Sequence, residues 1–213
     1  MLLEFIDKNT IFYDVGANIG YYSFLLAPVA KKVYGFEPNP VLYRRISETI
    51  VQNKIGNLWI YNLGLSDVKS KMEFCFNTSK HDLGSFIKNQ NHTESVDIEV
   101  NTLNGVIEDQ ELDSPNVIKI DVEGFEKFVL NGFTPIQEDM PILLVEWQGD
   151  GREQGENATQ LVRWAEMGYL IFKIGHNGQL GGWEDRKFIE YSNLLFIPKQ
   201  HSGYSKIRKY LSI

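Results

Sequence analysis

Lys119, Asp121 and Glu123 occupy every second position at the end of the run Val117-Ile-Lys-Ile-Asp-Val-Glu123. In extended backbone alternate side chains share a side, so the three charges face one way while Ile118, Ile120 and Val122 face the other. Charged groups that end an apolar strand are costly to bury unless they are paired or solvated. Glu146 closes a second apolar run, Ile142 to Trp147. The four residues read as a carboxylate cluster of Asp121, Glu123 and Glu146, partly neutralised by Lys119. Packed acids raise one another's pKa toward values at which a carboxylate takes a hydroxyl proton near neutral pH. Asp121 and Glu146 equally suit a divalent ion that would acidify such a hydroxyl. Two well-placed acids plus Glu123 are few ligands for a hard cation, however, and Lys119 already supplies positive charge, so no metal is expected. A purely structural reading also stands, in which the charges form a supporting salt-bridge network and Glu123 helps to start the next helix.

A second set of residues suits a ligand rather than a reaction. Asp14-Val-Gly16-Ala17-Asn18-Ile-Gly20 lies between an apolar run and a helical pattern that includes Tyr22. Its glycines admit close backbone approach, and a helix start offers unpaired N–H groups. Asp14 suits an ammonium group through a charge-assisted hydrogen bond. Glu37, followed by Pro38, ends the next apolar run, where acids in nucleotide-binding α/β folds accept the two ribose hydroxyls. The loop lacks the G-x-G-x-x-G spacing that cradles a dinucleotide pyrophosphate, which disfavours an NAD-dependent oxidoreductase. In the structural alternative Asp14 caps the helix and Glu37 merely ends a strand.

Alternating strands and helices must position these residues. Strands are expected at Ile11–Val15, Lys32–Glu37, Leu58–Leu63, Val117–Val122, Ile142–Trp147, Tyr169–Ile174 and Asn193–Ile197. Helices are expected at Asn18–Ala30 (its last turn disturbed by Pro28), Val41–Asn53, Gly124–Asn131 and Asn157–Met167, with Gly132 and Gly168 as C-terminal stops. Met72–Phe76 and Val96–Val100 read as an inserted β-hairpin, and Thr102 caps a short helix to Glu108. The fold class is α/β: a mostly parallel seven-stranded sheet with an antiparallel edge pair and helices on both faces. Without a linker or repeat, residues 1–213 read as a single domain, with a core of about 10–198 and a C-terminal tail over 199–213.

The stretches Phe12-Tyr-Asp-Val-Gly-Ala-Asn-Ile-Gly-Tyr-Tyr-Ser23, Phe36-Glu-Pro-Asn-Pro40, Leu63-Gly-Leu-Ser-Asp67 and Lys119-Ile-Asp-Val-Glu-Gly-Phe-Glu126 resemble the FkbM family of methyltransferases, in the family's order. The resemblance spans residues 10 to 198. It implies a Rossmann-like class I fold and S-adenosylmethionine as methyl donor, released as S-adenosylhomocysteine. It also implies a hydroxyl acceptor, on a sugar, a glycoconjugate or another small metabolite. By the same resemblance Asp14, Gly16 and Asn18 line the methionine part of the donor, Glu37 the ribose, and Ser66 or Asp67 the adenine. Ala17, Gly20, Tyr22, Pro38 and Asp121 complete the expected donor site. His81 precedes a Gly84-Ser85 element that the resemblance places near the substrate, and histidine is a suitable base at neutral pH. A donor-binding module without catalysis is the rival, and intact Asp14, Glu37 and Asp121 argue against it.

Composition narrows the partners. The chain carries 21 basic and 28 acidic residues, a net charge of −7, with the charges spread along its length. A nucleic acid partner would call for a basic face and is not expected. The one cysteine, Cys75, sits in an apolar run and reads as a strand residue rather than a thiol catalyst. With no signal peptide or membrane-length apolar run in view, a cytoplasmic location is expected, and no feature specifies an oligomer. Trp147, Trp183 and Tyr191 are candidates to stack on a sugar, with core packing as their alternative role. Arg152, Arg186 and Lys187 are candidates to meet an anionic acceptor. Lys199, Lys206, Arg208 and Lys209 read as a solvated tail or as a contact to a membrane surface or partner.

Overall fold

The apolar runs become strands where glycine, proline or a polar pair ends them. The computed structural model describes residues 2–77, 84–87, 92–136, 139–148, 154–183 and 192–211. β1 (Ile11–Val15), β2 (Lys32–Phe36), β3 (Leu58–Tyr61), β8 (Val117–Ile120) and β9 (Ile142–Trp147) run parallel to one another, as expected for a sheet covered on both faces. β12 (Ser192–Pro198) runs antiparallel to β9 and to β10 (Tyr169–Ile174), between them. A short strand, β11 (Leu180–Gly182), adds an outer edge, giving the order β11-β10-β12-β9-β8-β1-β2-β3. The sheet therefore has eight strands rather than seven, with two reversed strands, β12 inside it and β11 at its edge. Leu-Gly-Gly offers no apolar run by which β11 could be foreseen.

The insert is also larger than a hairpin. β5 (Ser70–Phe76) and β7 (Glu94–Asn101) pair antiparallel with Met72 opposite Ile98, as their alternation predicts. β4 (Gly64–Leu65) and β6 (Gly84–Ser85) extend the pair into a four-stranded sheet, ordered β4-β7-β5-β6. Phe74, Phe76 and Ile98 give this sheet its own small core, with Phe86 packed against it.

Helices cover both faces of the main sheet. α1 (Tyr21–Leu26) is shorter than expected, and its C-cap, Ala27, immediately precedes Pro28. α2 (Pro40–Gln52) starts where Asn39 accepts N–H bonds from Val41 and Leu42 and where proline occupies the first turn. Its Leu42 and Ile46, four apart, are buried. α3 (Leu103–Asp109) is capped by Thr102, whose hydroxyl accepts from Gly105 N at 2.9 Å. α4 (Glu126–Asn131) and α5 (Gln154–Glu166) follow β8 and β9. Gly168, at φ +103, supplies the left-handed turn after α5. Gly132, at φ −78, does not supply one after α4. Glycine is needed there because a Cβ would stand 1.9 Å from the Ser66 carbonyl oxygen.

One core layer, under α3, α4 and α5, contains Tyr13, Val15, Ile118, Ile120, Leu143 and Val145. The other, beside α1, contains Phe12, Val33, Val117, Ile142, Leu195 and Ile197. The C-terminal segment is no loose tail. In α6 (Tyr204–Ile207) Ile207 is buried, while Lys206 Nζ donates to the Glu4 carbonyl and Lys209 and Tyr210 reach the Glu4 carboxylate. Among the described residues no helix is long and apolar enough to cross a membrane.

Candidate active site

The carboxyl ends of β1, β2, β8 and β9 gather the charged residues, as open α/β sheets tend to do. Asp14 and Lys119 are direct neighbours in the β1–β8 register. Asp14 is 1% exposed, and its Oδ2 accepts from Ser23 N at 3.0 Å and Ser23 Oγ at 2.7 Å. It thus caps α1, as the structural alternative requires. Its Oδ1 accepts no hydrogen bond and lies 3.9 Å from Lys119 Nζ, a buried acceptor without a hydrogen-bond partner. Burial pushes the Asp14 carboxyl upward, against Lys119 and the Ser23 donors.

The glycine loop works differently from the expectation of free N–H groups. Gly16 and Ala17 N both donate to Phe36 O at 3.0 Å, Asn18 N to Glu37 Oε2 at 2.7 Å, and Gly20 N to Ala17 O at 2.7 Å. The loop therefore offers shape rather than donors. Gly16, at φ +76, is glycine because a Cβ would fall 1.9 Å from the Asp121 carbonyl oxygen, so the close approach is to protein, not to ligand.

Glu37 is held by Asn18 N on one oxygen and by Asn39 N on the other, at 2.8 Å. Each carboxylate oxygen keeps a further lone pair, which suits a vicinal diol. Burial raises the Glu37 carboxyl to about 7 despite those two N–H bonds. Gly16, Asn18, Glu37, Pro38, Asp121 and Glu123 line a cleft of ≈ 600 Å³ that opens to solvent. Phe36, Leu42 and Leu65 supply apolar wall, while Phe74, Gly84 and Phe86 of the inserted sheet form one side. Its few convergent polar groups on an apolar wall are the make-up of a small-molecule site.

Asp14, Ala17, Gly20 and Tyr22 do not line this cleft. Ser66 and Asp67 do not line it either: the Ser66 carbonyl packs against Gly132, and its hydroxyl donates to Asp67 at 3.2 Å. Leu63, Gly64 and Leu65, just before them, take the place beside the cleft.

On the reaction side, Lys119 Nζ is 3.0 Å from Asp121 Oδ2 and 5.0 Å from the Tyr22 ring centroid. Burial pulls the Lys119 ammonium down, but Asp14 and Asp121 outweigh it and hold it above its ordinary value. Glu146 lies close enough to Asp121 for the two carboxyls to act on one another. Burial first, then Asp121 and Glu123, raise its carboxyl to about 7, with Lys119 opposing. The expected alternation fails after Asp121, because β8 ends at Ile120 and Glu123 adopts φ +53. Glu123 is exposed, accepts from Gln148 Nε2 at 2.9 Å, and its carbonyl accepts from Ser85 Oγ at 3.0 Å. Among the described residues no three His, Cys, Asp or Glu side chains group to hold a metal ion.

Glu126 was not foreseen as part of the site. It is 1% exposed and accepts N–H bonds from Gly124 at 2.9 Å, Val122 at 3.3 Å and Gln148 at 3.4 Å. It thereby ties the turn carrying Asp121 and Glu123 to the residue after β9, which carries Glu146. An acid in the first turn of a helix reads in sequence as a dipole partner, so only the three-residue spacing from Glu123 hinted at more. Trp147 is 2% exposed within the core and is not available to stack on a sugar; Trp183 packs against the same core. His81, Arg152, Arg186, Lys187 and Tyr191 lie outside the described residues.

A carboxyl held near 7, if it serves as the base, gives a definite pH dependence. Below about 7 Glu146 is protonated and accepts no proton; above it the carboxylate is free. Turnover should rise with pH through about 7 and then level, and Glu146→Gln should abolish that rise. A pH–kcat/KM profile of both proteins checks this, and an unchanged profile in the variant would rule out Glu146 as the titrating group.

A family model described as the methyltransferase FkbM domain matches residues 14–171. The hexuronic acid methyltransferase AglP of Haloferax volcanii is 30% identical over 181 residues, covering 83% of this chain and 71% of that protein. Among solved structures, the methyltransferase FkbM of Methylobacillus flagellatus KT matches with a TM-score of 0.57 at 18% identity. That match covers 90% of this chain but 44% of the other, and it is a likeness of fold.

Proposed function

Because the chain belongs to the FkbM family of methyltransferases, we propose that it transfers a methyl group from S-adenosylmethionine to a hydroxyl oxygen of a uronic-acid-containing sugar. The sugar follows from the likeness to a hexuronic acid methyltransferase. The observation that carries the choice of hydroxyl is the carboxyl pair of Asp121 and Glu146 beside Lys119, in which Asp121 helps to push Glu146 upward. A neutral hydroxyl needs a base, and this pair supplies one. A sugar carboxylate needs none and would be repelled by the acids around it.

The donor, when bound, supplies an electrophilic methyl carbon. Glu37 would hold its ribose diol, and Asp14 Oδ1 with the Gly16–Asn18 loop its amino-acid end. Asp121 orients the acceptor hydroxyl, and the proton released as oxygen bonds carbon passes to the Asp121–Glu146 pair. Lys119 holds Asp121 in place and limits the pair's negative charge. No metal is required by this scheme.

Calorimetry should show binding of S-adenosylhomocysteine and none of NAD. Glu37→Ala should weaken that binding by about 1–3 kcal/mol, the range for losing a buried hydrogen-bond partner. Tight NAD binding without S-adenosylhomocysteine binding would defeat the proposal. With uronic acid glycans as acceptors, a methyl ether survives mild alkali and a methyl ester does not. An alkali-labile product would move the reaction to the carboxylate.

A further inference from the structure

Beyond Lys119 a second depression opens, with ≈ 1560 Å³ of empty space against ≈ 600 Å³ for the cleft. Tyr21, Tyr22 and Leu25 of α1 border it on one side, and Leu144, Asn193 and Leu195 of the sheet on the other. Lys119 Nζ links a residue of each lining, 5.0 Å from the ring centroid of Tyr22 in the trough and 3.0 Å from Asp121 in the cleft. Asn193 lies directly opposite Glu146 in the β9–β12 register. The trough therefore begins where the proposed base stands.

We propose that this trough is the acceptor subsite and that it takes several linked sugar units of a glycan, with Tyr21 as stacking platform. This rests on the sugar O-methyltransferase reading above. A sugar ring offers an apolar C–H face and a rim of hydroxyls. It is recognised by an aromatic face together with neutral donors and acceptors, and a tyrosine supplies both. The trough has that chemistry in two tyrosines, the Asn193 amide and His176; Lys173 also lines it, and no Asp or Glu is among the described residues that do.

Tyr21 is 62% exposed, and its ring meets the Tyr22 ring edge-on at 5.2 Å. This contact leaves most of Tyr21 open while fixing its position. Leu25 is 43% exposed one turn further along the same helix, and Leu3, 55% exposed, also lines the trough. A contiguous apolar strip of this kind on a chain of net charge −7 marks a binding surface rather than ordinary scatter. One sugar ring beside Glu146 would leave Tyr21 and Leu25 uncovered, whereas a chain of rings covers them.

The test is titration of trigalacturonate and of galacturonate, each with S-adenosylhomocysteine present, read by saturation-transfer NMR. The trisaccharide should bind at least about tenfold more tightly, the equivalent of one or two ring contacts. Tyr21→Ala should erase that advantage while leaving galacturonate and S-adenosylhomocysteine affinities unchanged. Tyr21→Phe should retain most of it, because the ring face remains. Equal affinities for the two sugars, absence of signal from both, or a trisaccharide affinity indifferent to Tyr21→Ala would each overturn the subsite. Failure of S-adenosylhomocysteine to bind in the same samples would instead overturn the underlying methyltransferase reading.

Discussion

The Asp121→Asn variant is expected to fold, to bind S-adenosylhomocysteine as the parent does, and to turn over about 10²–10⁴-fold more slowly, the range for a positioned acid–base group. The amide keeps the side chain's volume, and its oxygen still accepts from Lys119 Nζ, which lies 3.0 Å from Asp121 Oδ2. It cannot take a proton, and it removes the carboxylate that helps to push Glu146 upward. Binding of the donor product should survive because Asp14 and Glu37 are held by Ser23, Asn18 and Asn39 rather than by Asp121. Melting temperature, product affinity and turnover measured on one preparation separate chemistry from support. An early melt with poor product affinity would make Asp121 a prop for the β8 turn. Near-parental turnover in a well-folded variant would remove it from the reaction and leave Glu146 as the base.

Much of this arrangement was legible because burial writes itself into sequence. β1, β9 and β10 begin and end where their apolar runs do, at Ile11–Val15, Ile142–Trp147 and Tyr169–Ile174. Asp14 and Glu37 were legible for the same reason, since an acid that ends a buried run stands at the carboxyl edge of the sheet. What was not legible depends on backbone turns between elements. Lys119, Asp121 and Glu123 were read as one row, but left-handed backbone at Glu123 and Gly124 swings Glu123 outward to Gln148. Ser66 and Asp67 were read as cleft residues, but the chain turns after Leu65 and aims Ser66 O at Gly132. The clamp by Glu126 joins residues 22 positions apart through backbone N–H groups, and backbone donors leave no trace in side-chain pattern. Trp147 was a plausible sugar platform by type, yet its strand position places it in the core under α4 and α5.

Gly16→Ala should be the most destabilising single-methyl change in the site, and Gly178→Ala is its control. Both glycines adopt φ +76, a conformation that costs an L residue about 1–2 kcal/mol. At Gly178 an added Cβ meets nothing within 4 Å, so that strain is the whole effect. At Gly16 the Cβ would lie 1.9 Å from the Asp121 carbonyl oxygen, 2.9 Å from its carbon and 3.2 Å from Val122 Cγ1. The first two are backbone atoms held by the bond from Asp121 N to Val15 O at 3.0 Å, so they cannot rotate away. Relief requires the β1 and β8 turns to separate, against the Gly16 and Ala17 bonds to Phe36 O that hold the loop on its other side. The expected loss is about 4 kcal/mol or more for Gly16→Ala, in the range reserved for core overpacking and backbone strain together. Each kcal/mol lowers Tm by about 2–4 °C in a chain of this size, so the two variants should separate clearly in a thermal melt. The fraction of Gly16→Ala that remains folded should also lose turnover, because the displaced carbonyl belongs to Asp121 itself. Equal Tm shifts in the two variants would mean that the β1 and β8 turns are not in contact, and the joint placement of Asp14, Lys119 and Asp121 would fall with that contact.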